Sequence, residues 1–400
     1  MKKKIYPLLE NPYRKKDLNA AIEVINTGRI TIGPKTKEFE KLFCKKIKTK
    51  NSLMVNSGSS ANLLALQCLI NPYRKQRLKI GDKVLLPAIC WATTLWPIIQ
   101  SGLKPVFVDI DPYTLNIDLN DLRKKISKKT KAIMAVHVLG NSTNMDQFYQ
   151  IIKKNKLILI EDTCESLGSK YRNKYLGTFG DFSTFSFYSS HQISSGEGGM
   201  ICAKSKEDME ILRALRSHGW SRGLAKEKQI AKKFKKIDKR FIFYNSGFNL
   251  RPTDICASIG LSQFKNIDQL QKIRNKNRDL IVNTLKKSNI INDNLHFIEK
   301  NKNVNPAWFG IPILVTNKNK KEKLINGLEN DGVETRPIIS GNFLNHPGPK
   351  LYKLNSNNKK FKNSQKVQDR GFLIGLHTKK ISKMQLQLIH DAFFMIDKIR

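Results

Sequence analysis

Between residues 51 and 204 the chain alternates helix-length stretches with short apolar runs. Residues 59–69 place apolar side chains at helical spacing, and residues 83–87, 105–109, 132–138 and 157–161 are each rich in Val, Ile or Leu and bounded by turn residues. Short apolar runs separated by helix-length stretches predict a mostly parallel sheet covered on both faces, because parallel strands need crossover helices and are buried on both sides. Residues 182–188 and 199–203 predict two further strands, one on each side of a turn containing His191. No internal repeat is present.

Further along, residues 222–240 are Lys-rich and patternless, which predicts an exposed loop or short helices. After Arg251-Pro252-Thr253-Asp254 a long amphipathic helix is expected, with Thr253 as N-cap and Ile255, Ile259, Leu261, Phe264 and Leu270 on its apolar face. It leads to a smaller C-terminal part whose best strand candidates are 307–315 and 332–338 and which ends in a helix over 384–399. No Pro/Gly/Ser-rich linker separates the parts, so packed domains are expected, a large one over 1–285 and a small one over 286–400.

With 400 residues and 40% hydrophobic content, the chain can bury a sizeable core. No apolar run reaches the roughly 20 residues of a membrane helix, and no signal-peptide core follows Met1-Lys2-Lys3-Lys4. The expectation is a cytoplasmic protein with no membrane insertion. The formal charge of +39 raises a nucleic-acid partner. The lysines are spread over every segment, however, without an arginine-rich arm or a basic–aromatic stripe, so no nucleic-acid partner is expected. Cys44, Cys68, Cys90, Cys164, Cys202 and Cys256 show no CxxC and no paired spacing, which argues against a disulfide framework and a metal site.

Four segments carry candidate chemistry. In Asn56-Ser57-Gly58-Ser59-Ser60-Ala61-Asn62, Gly58 and Ser59 open a helix, where free backbone N–H groups suit a phosphate. Trp91 follows the strand ending at Pro87, and Asp162 and Glu165 follow the strand at 157–160, positions at which open α/β sheets bind ligands. Ser186 and His191 lie in Ser186-Phe187-Tyr188-Ser189-Ser190-His191-Gln192-Ile193-Ser194-Ser195-Gly196-Glu197-Gly198-Gly199. Taken singly, each has an ordinary structural explanation.

Together, in this order and over nearly the whole chain from about Gly28, the motifs resemble the sugar aminotransferase family that uses pyridoxal 5'-phosphate (PLP). The resemblance implies the PLP-dependent transferase fold type I, a large mixed sheet domain with a smaller α/β domain, working as a homodimer. It implies that Gly58, Ser59 and Ser186 bind the cofactor phosphate, that Trp91 stacks on the pyridine ring and that Asp162 faces its nitrogen. Asn249 would reach the phosphate of a partner subunit, Glu165 would orient the cofactor, and His218 and Arg222 would contact the sugar or diphosphate.

His191 stands where most of the family has the lysine that holds the cofactor as a Schiff base. Imidazole cannot form that link but can move a proton near neutral pH. The same exchange marks the family's 3-dehydratase branch. The chain is therefore similar to enzymes that convert a nucleotide-linked 4-keto-6-deoxyhexose to a 4-keto-3,6-dideoxy sugar for surface polysaccharide, with L-glutamate as amino donor. PLP alternates with pyridoxamine phosphate in that chemistry, and His191 is the base. Only Cys202 and Cys256 follow His191, too few for the four thiolates of an iron–sulfur cluster. The resemblance is accordingly to the cluster-free branch that acts on GDP-sugars. The alternatives are a nucleotide-sugar 4-aminotransferase, which needs a lysine that residues 175–203 lack, and a non-catalytic PLP-fold regulator, which has no use for Asp162, Trp91 and Ser186.

Overall fold

The computed structural model describes residues 5–288, 295–354 and 361–397. The first strands in chain order are β1 Asn51–Val55, β2 Lys83–Pro87, β3 Lys104–Val108, β4 Thr130–Val136 and β5 Ile158–Asp162. Two short ones follow, β6 Lys170–Tyr171 and β7 Lys174–Tyr175, and then β8 Phe182–Ser186 and β9 Gly199–Ala203. The C-terminal part adds β10 Leu295–Phe297, β11 Val304–Asn305, β12 Ile311–Val315, β13 Thr335–Arg336 and β14 Gly371–Ile374.

Seven strands form one sheet in the order β1-β9-β8-β5-β4-β2-β3. β9 is antiparallel to both of its neighbours, and the remaining pairs are parallel. Successive residues of a strand point to opposite faces, so a sheet covered on both sides feeds two cores. In β4, Ala132, Met134 and Val136 enter one apolar cluster, while Ile133 and Ala135 enter another. A smaller antiparallel sheet, β10-β12-β14-β13, packs its own core with Ile281, Val282 and Leu285 from the helix Ile267–Lys287.

Several expectations are sharpened. Thr253 caps its helix by accepting from the Cys256 N–H, but the helix stops at Phe264 and a second begins at Ile267. At the break Asn266 donates its side-chain amide to the Ser262 carbonyl, a local bond that competes with the helical ladder. Of the strand expected at 332–338, Thr335–Arg336 joins the small sheet and Val333 makes an isolated bridge to Tyr6, and the ladder stops at Pro337, which brings no N–H to it. The Lys-rich segment holds a short helix, Glu227–Lys233. Strand β1 and the helices Lys15–Asn26 and Pro34–Ile47 were not anticipated. In Lys15–Asn26, Leu18, Ile22 and Ile25 stay exposed while Ala21 and Val24 are buried, so the apolar pattern misreports the buried face. Among the described residues, no helix is long and apolar enough to cross a membrane.

Beneath the turn that carries His191 lies an aromatic cluster. Phe43 stacks on Phe264 at 5.0 Å and meets Phe185 edge-on at 4.9 Å, and Phe39 packs on Phe187 at 5.2 Å. The cluster ties the helices Pro34–Ile47 and Asp254–Phe264 to β8. Phe43→Ala should cost about 3–5 kcal/mol of unfolding free energy, read as a lower denaturant midpoint, because the rings around it cannot collapse into the space. A change below about 1 kcal/mol would show the cluster to be plastic.

Candidate active site

A cavity of about 610 Å³ opens at the carboxyl ends of the strands, where chain reversals leave backbone groups free. Gly58 and Ser59 reach it from the turn after β1, Trp91 from the turn after β2 and Asp162 from the end of β5. Glu165, Ser186 and His191 complete the set, so all seven of these sequence-identified residues line one space.

One end is built for an anion. The helix Gly58–Ile70 starts there, and its cap Ser57 accepts from the Ser60 N–H at 3.1 Å, leaving the first backbone N–H groups free to point outward. A Cβ on Gly58 would meet the Ser186 Cβ at 2.7 Å and the Cys164 Sγ at 2.9 Å, so only glycine lets the helix end lie against β8. The Ser186 Oγ accepts from the Tyr188 N–H at 3.3 Å, which leaves its own proton to donate.

Asp162 and Glu161 separate by strand alternation. Glu161 is fully buried, beside His137 at 2.9 Å, and accepts from the N–H groups of Gly177, Phe179 and Gly180. Burial opposes its charge, but these partners win and hold its carboxyl below the usual range, as befits a structural anchor. Asp162 faces the cavity instead. Its Oδ2 accepts from the Asn62 amide and the Thr94 hydroxyl, both at 3.0 Å, and its Oδ1 from the Cys164 N–H at 3.2 Å. Asn62 and Thr94 thus orient the carboxylate; the sequence singles out neither as a site residue, although Asn62 closes the Asn56–Asn62 motif and Thr94 stands three residues after Trp91. The indole of Trp91 is 59% exposed at the cavity and, among the described residues, stacks on no other ring.

The His191 ring is held in one orientation. Its Nδ1–H donates to the Cys164 carbonyl at 2.6 Å, and Phe309 meets the ring edge-on at 5.2 Å. A carbonyl can only accept, so the neutral imidazole carries its proton on Nδ1 and leaves Nε2 as the basic nitrogen. Burial pushes this imidazole down to about 4, a fall that the Cys164 carbonyl only partly offsets. The same burial, reinforced by the charge of Asp162, pushes the Glu165 carboxyl up to about 7 against the pull of the Leu139 N–H, which it accepts at 3.0 Å. A base and a partly protonated carboxyl therefore share one cavity at neutral pH.

Asn249, His218 and Arg222 do not line this cavity. Asn249 is exposed, accepts from the Arg251 guanidinium at 2.9 Å and bridges to Ser217. His218 packs on Trp220 at 5.2 Å, and Arg222 is exposed beyond it. The small sheet, by contrast, sends Arg336 and, just beyond it, Pro337 into the cavity wall, from the strand candidate 332–338 to which the sequence assigns no site role. Phe309 and Glu197 also line the cavity and carry no sequence signal beyond their neighbours.

The profile of the DegT/DnrJ/EryC1/StrS aminotransferase family matches residues 12–393. The chain belongs to this family. Over 376 residues it is 34% identical to the GDP-4-keto-6-deoxy-D-mannose 3-dehydratase of Escherichia coli O55:H7, covering 93% of this chain and 95% of that relative. The solved structure of E. coli GDP-4-keto-6-deoxy-D-mannose-3-dehydratase with bound hydrated PLP matches with a TM-score of 0.89 at 32% identity, over 98% of this chain and all of that one. Another, of a GDP-4-keto-6-deoxymannose-3-dehydratase with a trapped PLP–glutamate geminal diamine, gives a TM-score of 0.88 at 32% identity, over 98% of this chain and 100% of that one. The large mixed sheet and small antiparallel sheet are thus the fold of the DegT/DnrJ/EryC1/StrS family, as the motifs implied.

The lowered His191 value makes a pH prediction. An imidazole at about 4 when folded and about 6.5 when unfolded binds fewer protons in the native state between those values. Its contribution to stability is present above about pH 6.5 and is lost as pH falls toward 4. Proton NMR of the cofactor-free protein should show one imidazole, absent in His191→Asn, that stays neutral below pH 5.5 or so. Titration near 6.5 would mean that the ring is solvated and its tautomer free.

Proposed function

We propose that this chain deoxygenates C3 of a nucleotide-linked 4-keto-6-deoxyhexose, preferring a GDP-sugar, with PLP as cofactor and L-glutamate as amino donor. The product is a 4-keto-3,6-dideoxy sugar destined for surface polysaccharide. The net balance is closed: the sugar loses one oxygen, and glutamate becomes 2-oxoglutarate and ammonia. The observation that carries the reading is His191 in the cavity with Nδ1 committed to a carbonyl and Nε2 left basic.

The residues present fit PLP. The free N–H groups of Gly58 and Ser59 and the Ser186 hydroxyl suit its phosphate, the exposed Trp91 face suits a pyridine ring, and the oriented Asp162 carboxylate suits a protonated ring nitrogen. Bound there, the cofactor supplies an electron sink, and Asp162 maintains it by keeping the ring nitrogen charged. With no lysine among the described residues that line the site, non-covalent contacts alone hold the cofactor. His191 Nε2 removes the proton whose loss drives expulsion of the 3-hydroxyl, and the resulting imidazolium can return it to the departing oxygen. Glu165, on the same cavity wall, helps orient the cofactor.

The exposed position of Asn249 supports a homodimer in which Asn249 of the partner subunit closes the phosphate end. His218 and Arg222 lie on the same outer face and would meet the sugar nucleotide in a neighbouring site, where Arg suits a diphosphate. The substrates are polar metabolites, so the work belongs in the cytoplasm.

The test is incubation with PLP, nitrogen-labelled glutamate and a panel of GDP-, CDP- and dTDP-linked 4-keto-6-deoxyhexoses. A product lighter by one oxygen, with its ketone retained and the label in free ammonia, is expected. Label in a stable 4-amino sugar that keeps its 3-hydroxyl would make the protein an aminotransferase. Asp162→Asn should lower turnover on the order of 100- to 1000-fold while leaving the melting temperature near wild type; a variant of near-normal rate would mean another group serves the ring nitrogen.

A further inference from the structure

The turn that carries the base is fastened from one side. Tyr188, Ser189 and Ser190, before His191, are at least partly exposed, whereas Gln192, Ile193, Ser194 and Ser195 after it are buried. The Ser194 N–H donates to the Gln263 side chain at 2.8 Å, and the Ser195 N–H to the Phe187 carbonyl at 2.8 Å. Gln192, buried beside them, sends its side-chain amide to the residues around the imidazole.

Two contacts orient the His191 ring, the Cys164 carbonyl at Nδ1 and the edge-on Phe309. Gln192 grips the chain beside each of them. Its Nε2 donates to the Glu165 carbonyl, one residue after Cys164, and to the Ala307 carbonyl at 3.0 Å, two residues before Phe309. Both partners can only accept, so a flipped amide would set its oxygen against two carbonyl oxygens. In the orientation that remains, Oε1 is buried with no donor among the described residues. An apolar side chain of the same length would fill this space without burying an unpaired acceptor. Packing alone therefore does not account for a glutamine here.

A lysine joined to a carbonyl as a Schiff base is restrained by that bond, and an imidazole has no such restraint. A base that acts through Nε2 needs its Nδ1 committed elsewhere, an arrangement lost if the Cys164 carbonyl or the Phe309 ring shifts. On the reading given under the proposed function, we propose that Gln192 is a positioning residue for the base. Its amide clamps the Cys164–Glu165 turn to the 307–309 segment, and the clamp keeps the His191 ring protonated at Nδ1 with Nε2 left basic.

The test has a spectroscopic and a kinetic readout. Cofactor-free protein carrying nitrogen-labelled histidine reports the ring tautomer by NMR at neutral pH. Wild type should show His191 protonated at Nδ1 alone. Gln192→Met, which keeps the length but has no N–H to give, should show both tautomers. In single turnover of the nucleotide sugar by protein preloaded with the aminated cofactor, Gln192→Met should lower the rate by about tenfold or more. Its PLP affinity and the sugar concentration for half-maximal rate should stay within about twofold of wild type. Gln192→Asn keeps the amide but is one methylene short, so it should fall between the two, and it carries the same test if Gln192→Met does not fold. A ring that keeps the single Nδ1 tautomer in the variants, or a rate within about twofold of wild type, overturns the proposal. So does a loss of rate matched by an equal loss of PLP affinity, which would leave Gln192 a purely structural role. A wild type that dehydrates no sugar overturns the proposed function instead; the tautomer readout needs no reaction and still decides the clamp.

Discussion

A Cβ added at Gly199, the first residue of β9, would stand 2.4 Å from the Ser57 carbonyl oxygen and 2.7 Å from the Gly58 nitrogen. Both neighbours are backbone and cannot rotate away. This close approach lets the one antiparallel strand lie between β1 and β8, and that placement sets the anion-binding end of the cavity. β9 pairs with β1 at Val55 and with β8 at Ser186, so the start of the helix Gly58–Ile70 and the Ser186 hydroxyl meet across Gly199. Gly58 repeats the constraint from the other side, with no room for a side chain against Ser186 and Cys164. Helix dipole, free N–H groups and a serine donor then converge on one point, with no lysine or arginine beside them among the described residues.

The opposite end depends on how His191 is held, and that reaches to the segment before β12 and the helix Ile267–Lys287. Phe309, which packs on the imidazole, ends a segment fastened at each residue. Asn275 donates to the Pro306 carbonyl at 3.0 Å, Ser169 accepts from the Ala307 N–H at 2.8 Å, and Arg274 donates to the Trp308 carbonyl at 3.0 Å and to that of Phe309. Gln192, next to the histidine, donates to the Ala307 carbonyl at 3.0 Å and to the Glu165 carbonyl. Burial lowers Arg274 to about 10, still charged at neutral pH, and its positive charge also disfavours a charged His191. The helix Ile267–Lys287 therefore both wedges Phe309 against the base and helps keep it neutral.

What could be read in advance follows from the range of the interactions. Strands β2, β5, β8 and β9 were legible as short runs between turns, and the residues just after β2 and β8 and at the end of β5 carry the site. Gly58, Trp91, Asp162, Ser186 and His191 were recognisable as an ordered set of motifs, and the fold brings all of them to one cavity. Asn62 and Thr94 escaped notice because their function is a contact with Asp162 across 100 and 68 residues of chain. The helix break at Asn266 escaped because one local side-chain bond, with no Pro or Gly to announce it, outweighs the apolar pattern on either side. Arg336 reaches the cavity wall through the pairing of β13 with β14, a contact that the local pattern does not show.

The difference between amino transfer and deoxygenation can be traced to the acid–base character of one position. A lysine amine has an ordinary pKa of about 10.4 and holds its proton at neutral pH unless burial strips it. It acts through a covalent bond to a carbonyl as readily as through proton transfer. The imidazole of His191 cannot make that bond, and burial leaves it neutral over the whole physiological range. With Nδ1–H donated to Cys164, only Nε2 can accept a proton. The imidazolium that forms is destabilised by the same burial that lowered its pKa, so it gives the proton up readily to a poor leaving group such as hydroxide. Pushing a base's pKa down weakens it as a proton acceptor and strengthens its conjugate acid by the same amount. A site that must expel a hydroxyl gains from that trade, whereas a site that must return a proton to carbon and recover its cofactor covalently does not.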